Sequence, residues 1–181
     1  MTTLHRTGVT LVVGPSNVGK TKTTADALDR WLADNSQAGV VVFDFAPNVE
    51  RNGRILGGRL EQFTTVPDDV FRAVLDAHAP RADSESGPDA LALARDNAER
   101  ACDLFDGAPD DPTAVFVNDA TIPFQSDGET DRLQTYCEGA TFVVANAFES
   151  EELGTENPVS RNERSALAEL RAWADRVVEL G

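Results

Sequence analysis

An octapeptide near the start of the chain constrains the fold more than any other feature. Gly14-Pro15-Ser16-Asn17-Val18-Gly19-Lys20-Thr21 joins the apolar run GVTLVV at 8–13 to a segment, 19–34, in which Ala25, Leu28, Trp31 and Leu32 recur at helical spacing. A short apolar run without steady alternation reads as a strand covered on both faces. A strand that turns through glycines straight into an amphipathic helix opens a βα unit. Repeating such units builds a parallel sheet with helices on both sides.

The rest of the chain continues this alternation. Further buried strands are predicted at 39–45, 113–117 and 140–145, and a last one at 176–180. Helices are predicted at 67–77, where Pro67 would occupy the first turn, at 88–105 closed by Gly107, at 129–138 and at 161–174. Ser160 and Glu163 have the spacing of a capping box for the last of these. A short strand is placed at 59–63, and 81–87, 122–128 and 148–158 read as loops. The expectation is a single α/β domain over 1–181, a three-layer α/β/α sandwich. Its mainly parallel sheet has about five strands, and a helical and irregular insertion spans about 46–112.

Composition limits the partners. Asp and Glu number 31 against 16 Lys and Arg, a net charge of -15, and the only two lysines are Lys20 and Lys22. Such a surface argues against nucleic acid. The pattern resembles proteins of salt-loving cells, in which dense carboxylates keep chains soluble when salt screens weaker fields. The codon bias of a GC-rich genome, which favours Arg over Lys, is the other reading. Cys102 and Cys137 form neither a metal motif nor a disulfide framework, and they read as reduced thiols packed in helices. The N-terminus lacks a signal-like apolar run, and no stretch is apolar enough to span a membrane, so a cytoplasmic location is expected.

The two surviving lysines sit in or beside the octapeptide. Its spacing, G-x-x-x-x-G-K-(S/T), suits a polyphosphate for physical reasons. Glycines let the backbone curl until its N–H groups point inward, and the following helix adds its positive end. Residues 8–32 resemble the opening strand, loop and helix of the P-loop NTPase superfamily, and the octapeptide resembles its Walker A motif. The resemblance implies a nucleotide, ATP or GTP, held by Gly14, Pro15, Ser16, Asn17, Val18, Gly19, Lys20, Thr21 and Lys22. Lys20 would reach the β- and γ-phosphates, and Thr21 would ligate Mg²⁺.

Asp119 follows the apolar run 114–117 and is the favoured metal carboxylate, the Walker B candidate, which would hold Mg²⁺ through a water. Asp44, at the end of the second strand, is the rival. Together with Gly14 and Asn146 these place four segments on one rim of the sheet, with Asn146 near the base. Ala120 stands where many P-loop ATPases carry a glutamate that activates water, which disfavours fast hydrolysis. Gln125, Glu149, Glu151 and Glu152 are candidates to replace it. Asn17 resembles a residue in the phosphate loop of certain small GTPases. However, Asp119-Ala120-Thr121-Ile122 lacks their D-x-x-G glycine and Asn146-Ala147-Phe148-Glu149 departs from N-K-x-D, which favours ATP. Arg161 and Arg164, or alternatively Arg51 and Arg54, would offset charge on the leaving phosphoryl.

Three functions fit these residues. One is a slow Mg²⁺-dependent NTPase coupled to a small-molecule or protein partner. The second is a small-metabolite kinase using Asp44 and the arginines from Arg51 to Arg59. The third is a non-catalytic nucleotide-binding regulator.

Overall fold

The computed structural model describes residues 4, 6–51, 54–56 and 58–181. Strands β1 (Gly8–Gly14), β2 (Val40–Asp44), β5 (Phe71–Val74), β6 (Ala114–Asn118), β7 (Phe142–Phe148) and β8 (Arg176–Glu179) form one sheet. Its order is β5-β2-β6-β7-β1-β8. Every neighbouring pair is parallel. A separate antiparallel pair, β3 (Val49–Arg51) and β4 (Arg54–Leu56), lies in the stretch read as irregular.

Helices α1 (Lys20–Asp34), α2 (Pro80–Asp83), α3 (Gly87–Gly107), α4 (Asp131–Tyr136) and α5 (Pro158–Trp173) complete the α/β architecture. The central strands are apolar throughout because both of their faces are covered. Val40, Val42, Phe116, Phe142 and Val144 pack with Ala25, Leu28 and Trp31 of α1. Leu11, Val13, Val41, Phe43, Val115 and Val117 face Ala101 and Phe105 of α3, Leu133 of α4 and Ala166, Leu167 and Leu170 of α5. Trp31 stacks on Phe142 with centroids 5.3 Å apart.

Four predicted stretches differ, among them 81–87, read as a loop, whose start belongs to helix α2 (Pro80–Asp83). Residues 67–77 contain no helix. Pro67 closes a turn by accepting from the Val70 N–H at 3.0 Å. The chain then adds β5 to the edge of the sheet, Val41–Asp44 pairing with Phe71–Val74. Phe71, Ala73, Leu75 and Ala77 repeat every second residue and turn to the α3 side of the core, and this strand periodicity outweighs the proline. At 59–63 the strand is replaced by a 3-10 turn, Leu60–Gln62, because the Leu60 N–H donates to the buried Asp44 carboxylate at 2.8 Å. A further 3-10 turn, Ile122–Phe124, occupies the loop after β6.

The start of α5 also moves. Asn157, not Ser160, caps the helix, its side chain accepting from the Ser160 N–H at 2.8 Å. Ser160 and Glu163 are interior positions and buried, so no capping box forms. Cys137 is buried at the end of α4, whereas Cys102, read as packed, is exposed on α3.

The segment carrying α2 is fastened to α3 by one buried amide. The Asn97 side chain accepts from the His78 N–H at 2.9 Å and donates to the His78 carbonyl at 3.0 Å. Removing it leaves two backbone groups without partners. Asn97→Ala is therefore expected to cost about 1–3 kcal/mol, read as a lower denaturation midpoint at unchanged m-value.

Candidate functional site

The loop between β1 and α1 curls because three of its residues leave the usual backbone region. Gly14 has φ 155°, Asn17 63° and Gly19 96°. A Cβ on Gly14 would lie 2.3 Å from the Leu180 carbonyl oxygen, so only glycine fits there. Gly19 caps α1 in the left-handed region that side chains disfavour. The Lys20 ammonium folds back onto the Pro15 carbonyl and closes the curl. Burial lowers the Lys20 pKa, while the nearby charges of Asp119 and Glu152 pull it up.

This loop forms one wall of a cavity of about 570 Å³. Ser16, Asn17, Gly19, Lys20, Thr21 and Lys22 line that wall, and Asn118, Asp119 and Asn146 line the same cavity. Lys22 is held by Asp26 at 2.7 Å. Gly14, Pro15 and Val18 are not on the wall; they shape the bend behind it.

Asp119 follows β6 with φ 59°, an uncommon conformation for a residue with a side chain. Asn146 stabilises that conformation: its side-chain oxygen accepts from the Asp119 N–H at 3.0 Å, and its carbonyl accepts from the Ala120 N–H at 2.8 Å. Burial first, and then the charge of Glu163, pushes the Asp119 carboxyl up to about 7; Lys20 and Arg81 partly offset this.

Asp44 does not join the cavity. It is 0% exposed. One carboxylate oxygen accepts from Asn118 at 2.8 Å and the other from the Leu60 N–H. Asn118 also donates to the Gly58 carbonyl at 2.7 Å, and Asn146 donates to Asn118 at 2.9 Å and to Thr24 at 2.8 Å. This ladder ties the tips of β2, β6 and β7 to α1, so the Asn146 amide is spent on internal bonds. Burial raises the Asp44 pKa against the pull of these donors.

The predicted arginines lie elsewhere. Arg161 is exposed and bonds the Glu156 carbonyl at 2.7 Å, and Arg164 is also exposed. Arg59 pairs with Asp76 at 3.5 Å. The Arg51 and Arg54 side chains lie outside the described residues, as do Gly53, Gly57 and His5. Among the described residues the arginine that lines the cavity is Arg81 of α2, in a stretch read as a loop. It pairs with Glu163 at 2.8 Å, donates to Ser160 Oγ at 3.0 Å and lies 5.6 Å from the Phe148 ring centroid. No local pattern marks Arg81 or Glu163, because their roles depend on chain segments far apart in sequence.

One acidic side chain already touches the curl. Glu152, in the loop after β7, accepts from the Ser16 N–H at 2.8 Å, so any anion entering the curl meets a carboxylate on that amide. Among the described residues no group of three His, Cys, Asp or Glu could hold a metal unaided, and no helix is long and apolar enough to cross a membrane. Neither a protein-family model nor a curated protein matches the sequence.

Proposed function

We propose that the chain binds a Mg²⁺–nucleoside triphosphate, ATP in preference to GTP, and hydrolyses it slowly in step with a partner contact. One observation carries the reading. A glycine-shaped curl at a helix N-terminus, the half-buried Lys20 ammonium and the Asp119 carboxylate border one cavity. The curl and the helix end suit phosphate oxygens.

The donor set fits Mg²⁺. Thr21 and Asp119 offer hard oxygens on the cavity wall, and Mg²⁺ beside phosphates uses only one or two protein ligands and keeps waters. Burial, and then the charge of Glu163, raises the Asp119 pKa, so its ionised form is disfavoured until a cation lies beside it. Asp44 is left out of this set because both its oxygens are taken. When bound, the ion would neutralise charge on the β- and γ-phosphate oxygens.

Arg81 replaces Arg161 and Arg164 in this reading, since among the described residues it is the arginine on the wall. ATP is preferred because the Asn146 amide is committed to Thr24, Asn118 and Asp119 and is not free to read a guanine. The buried Ala120 after Asp119 is consistent with slow turnover. For the partner contact, the exposed large apolar side chains among the described residues, Phe63 and Leu153, both border the cavity. A ligand there would alter what they present.

Phosphate release from ATP and Mg²⁺ in molar KCl, with no acceptor added, tests the reading. Binding without release would leave a kinase or a regulator, and absence of binding would end it. Glu152→Ala is expected to tighten triphosphate binding about three- to tenfold, the result of removing a competing charge-assisted bond at an exposed site. Titration calorimetry checks this, and unchanged or weaker binding would show that Glu152 is no competitor.

A further inference from the structure

Hydrolysis needs a group that takes a proton from water, and Ala120 occupies the place beside Asp119 where one is expected. Glu163 of α5 reaches the same cavity from the opposite helical layer, with its side chain 6% exposed. One carboxylate oxygen accepts from Thr121 Oγ1 at 3.1 Å and from Gln125 Nε2 at 2.6 Å. The other faces the Arg81 guanidinium at 2.8 Å.

Gln125 supplies the second, independent observation. It is 0% exposed and lines the cavity. Its Nε2 is committed to Glu163, which fixes the amide orientation, because only the nitrogen can donate to a carboxylate. The Oε1 left over is buried without a hydrogen-bond partner. Buried amide oxygens rarely stay unpartnered, and an ordered water with two or more polar partners, between Gln125 and the neighbouring carboxylate, would satisfy this one.

We propose that Glu163 is the catalytic base of the reaction and that Gln125 Oε1 positions the attacking water. Together they replace the glutamate missing after Asp119. This rests on the hydrolytic reading above. As the water oxygen bonds to the γ-phosphorus, the bond from that phosphorus to the β,γ-bridging oxygen breaks. One water proton passes to the Glu163 carboxylate, and nucleoside diphosphate and phosphate are formed. The proton then leaves with phosphate or solvent, and Glu163 is restored.

Arg81 gives the arrangement a gate. While it faces Glu163 the guanidinium occupies one of the two carboxylate oxygens. A γ-phosphate entering the cavity competes for the same guanidinium. Once Arg81 turns to the phosphate, Glu163 is freed when a substrate is present.

The test measures ATP binding, single-turnover hydrolysis and steady-state kinetics with Mg²⁺ in molar KCl on the full chain. Glu163→Gln, which frees Arg81 for the phosphate, should bind ATP at least as tightly as wild type and hydrolyse it about 100-fold or more slowly. Added formate should restore part of the rate in Glu163→Ala. Gln125→Ala, which keeps the Glu163–Arg81 pair, should lower kcat about tenfold or more with KM unchanged, a split that a folding defect would not give. If wild type hydrolyses ATP and all three variants match it, or if formate rescues nothing while KM rises with the loss, the assignment falls and the nucleotide reading stands. If wild type binds ATP without hydrolysing it, or does not bind, the assignment falls together with that reading.

Discussion

Lys20→Ala is expected to weaken binding of Mg²⁺–ATP by 2–5 kcal/mol, about 30- to several-thousand-fold, by calorimetry in molar KCl. The Lys20 ammonium is partly buried, and its hydrogen-bond partner is a single carbonyl of its own loop, Pro15. A polyphosphate offers it full anionic partners in the same curl, so the energy at stake is that of a desolvated charge pair. The substitution should not weaken the nucleotide-free fold. Burial lowers the Lys20 pKa, so the folded chain holds the ammonium less comfortably than water does. Lost affinity at undiminished thermal stability separates a binding role from a structural one. Lys20→Arg should recover little, because a planar fork does not fit a space shaped for a compact ammonium. Equal affinity in wild type and Lys20→Ala would remove the phosphate site.

The features legible in the sequence were those written in consecutive residues. The runs at 8–13, 39–45, 113–117 and 140–145 are apolar because parallel strands lie between two helical layers, and each became a strand of the sheet. The strand β5 was missed. Its alternation of Phe71, Ala73, Leu75 and Ala77 competes with Pro67, which reads as a helix start, and an edge strand needs only half the apolar content of a central one. The start of α5 was misplaced because Ser160 and Glu163 have capping spacing, yet tertiary contacts put both to other uses. Ser160 receives Arg81, and Glu163 receives Arg81, Thr121 and Gln125.

The same division runs through the site. The curl at 14–21 can be read along the chain because its geometry comes from glycine positions within one loop. Asp119 was placed by the rule that ligands collect at the carboxyl ends of parallel strands. That rule does not separate a carboxylate facing a cavity from one sealed beneath it, and Asp44 is the sealed one. Arg81, Gln125 and Glu163 become neighbours only when α2 and α5 pack over the same end of the sheet. Nothing in the polar stretch around Arg81 sets it apart from Arg161, yet packing leaves one on the cavity wall and the other in solvent.

Asp119→Asn should raise the stability of the metal-free protein at pH 8 while leaving it nearly unchanged at pH 4. Folding moves this carboxyl from its ordinary 3.8 to about 7, so between those values the folded chain holds a proton that the unfolded chain has released. The unfolded state then binds fewer protons, and stability falls as pH rises. The contribution is full below about pH 4, declines through the window up to about 7, and is then lost. A gap of this size corresponds to roughly 4 kcal/mol, and water entering through the cavity reduces it to on the order of 2–4 kcal/mol. Asparagine keeps the shape and carries no charge at any pH, so the variant should not show this decline. Thermal unfolding in EDTA from pH 4 to pH 8 would show wild type and variant together at the acid end and diverging toward neutrality. Mg²⁺ with ATP should close the gap from the wild-type side, because the cation compensates the charge that burial penalises. The variant should gain little from Mg²⁺ and lose Mg²⁺-dependent phosphate release. A difference independent of pH, or a variant less stable at pH 8, would mean that Asp119 is already compensated within the fold, and the physical case for a cation beside it would go with that result.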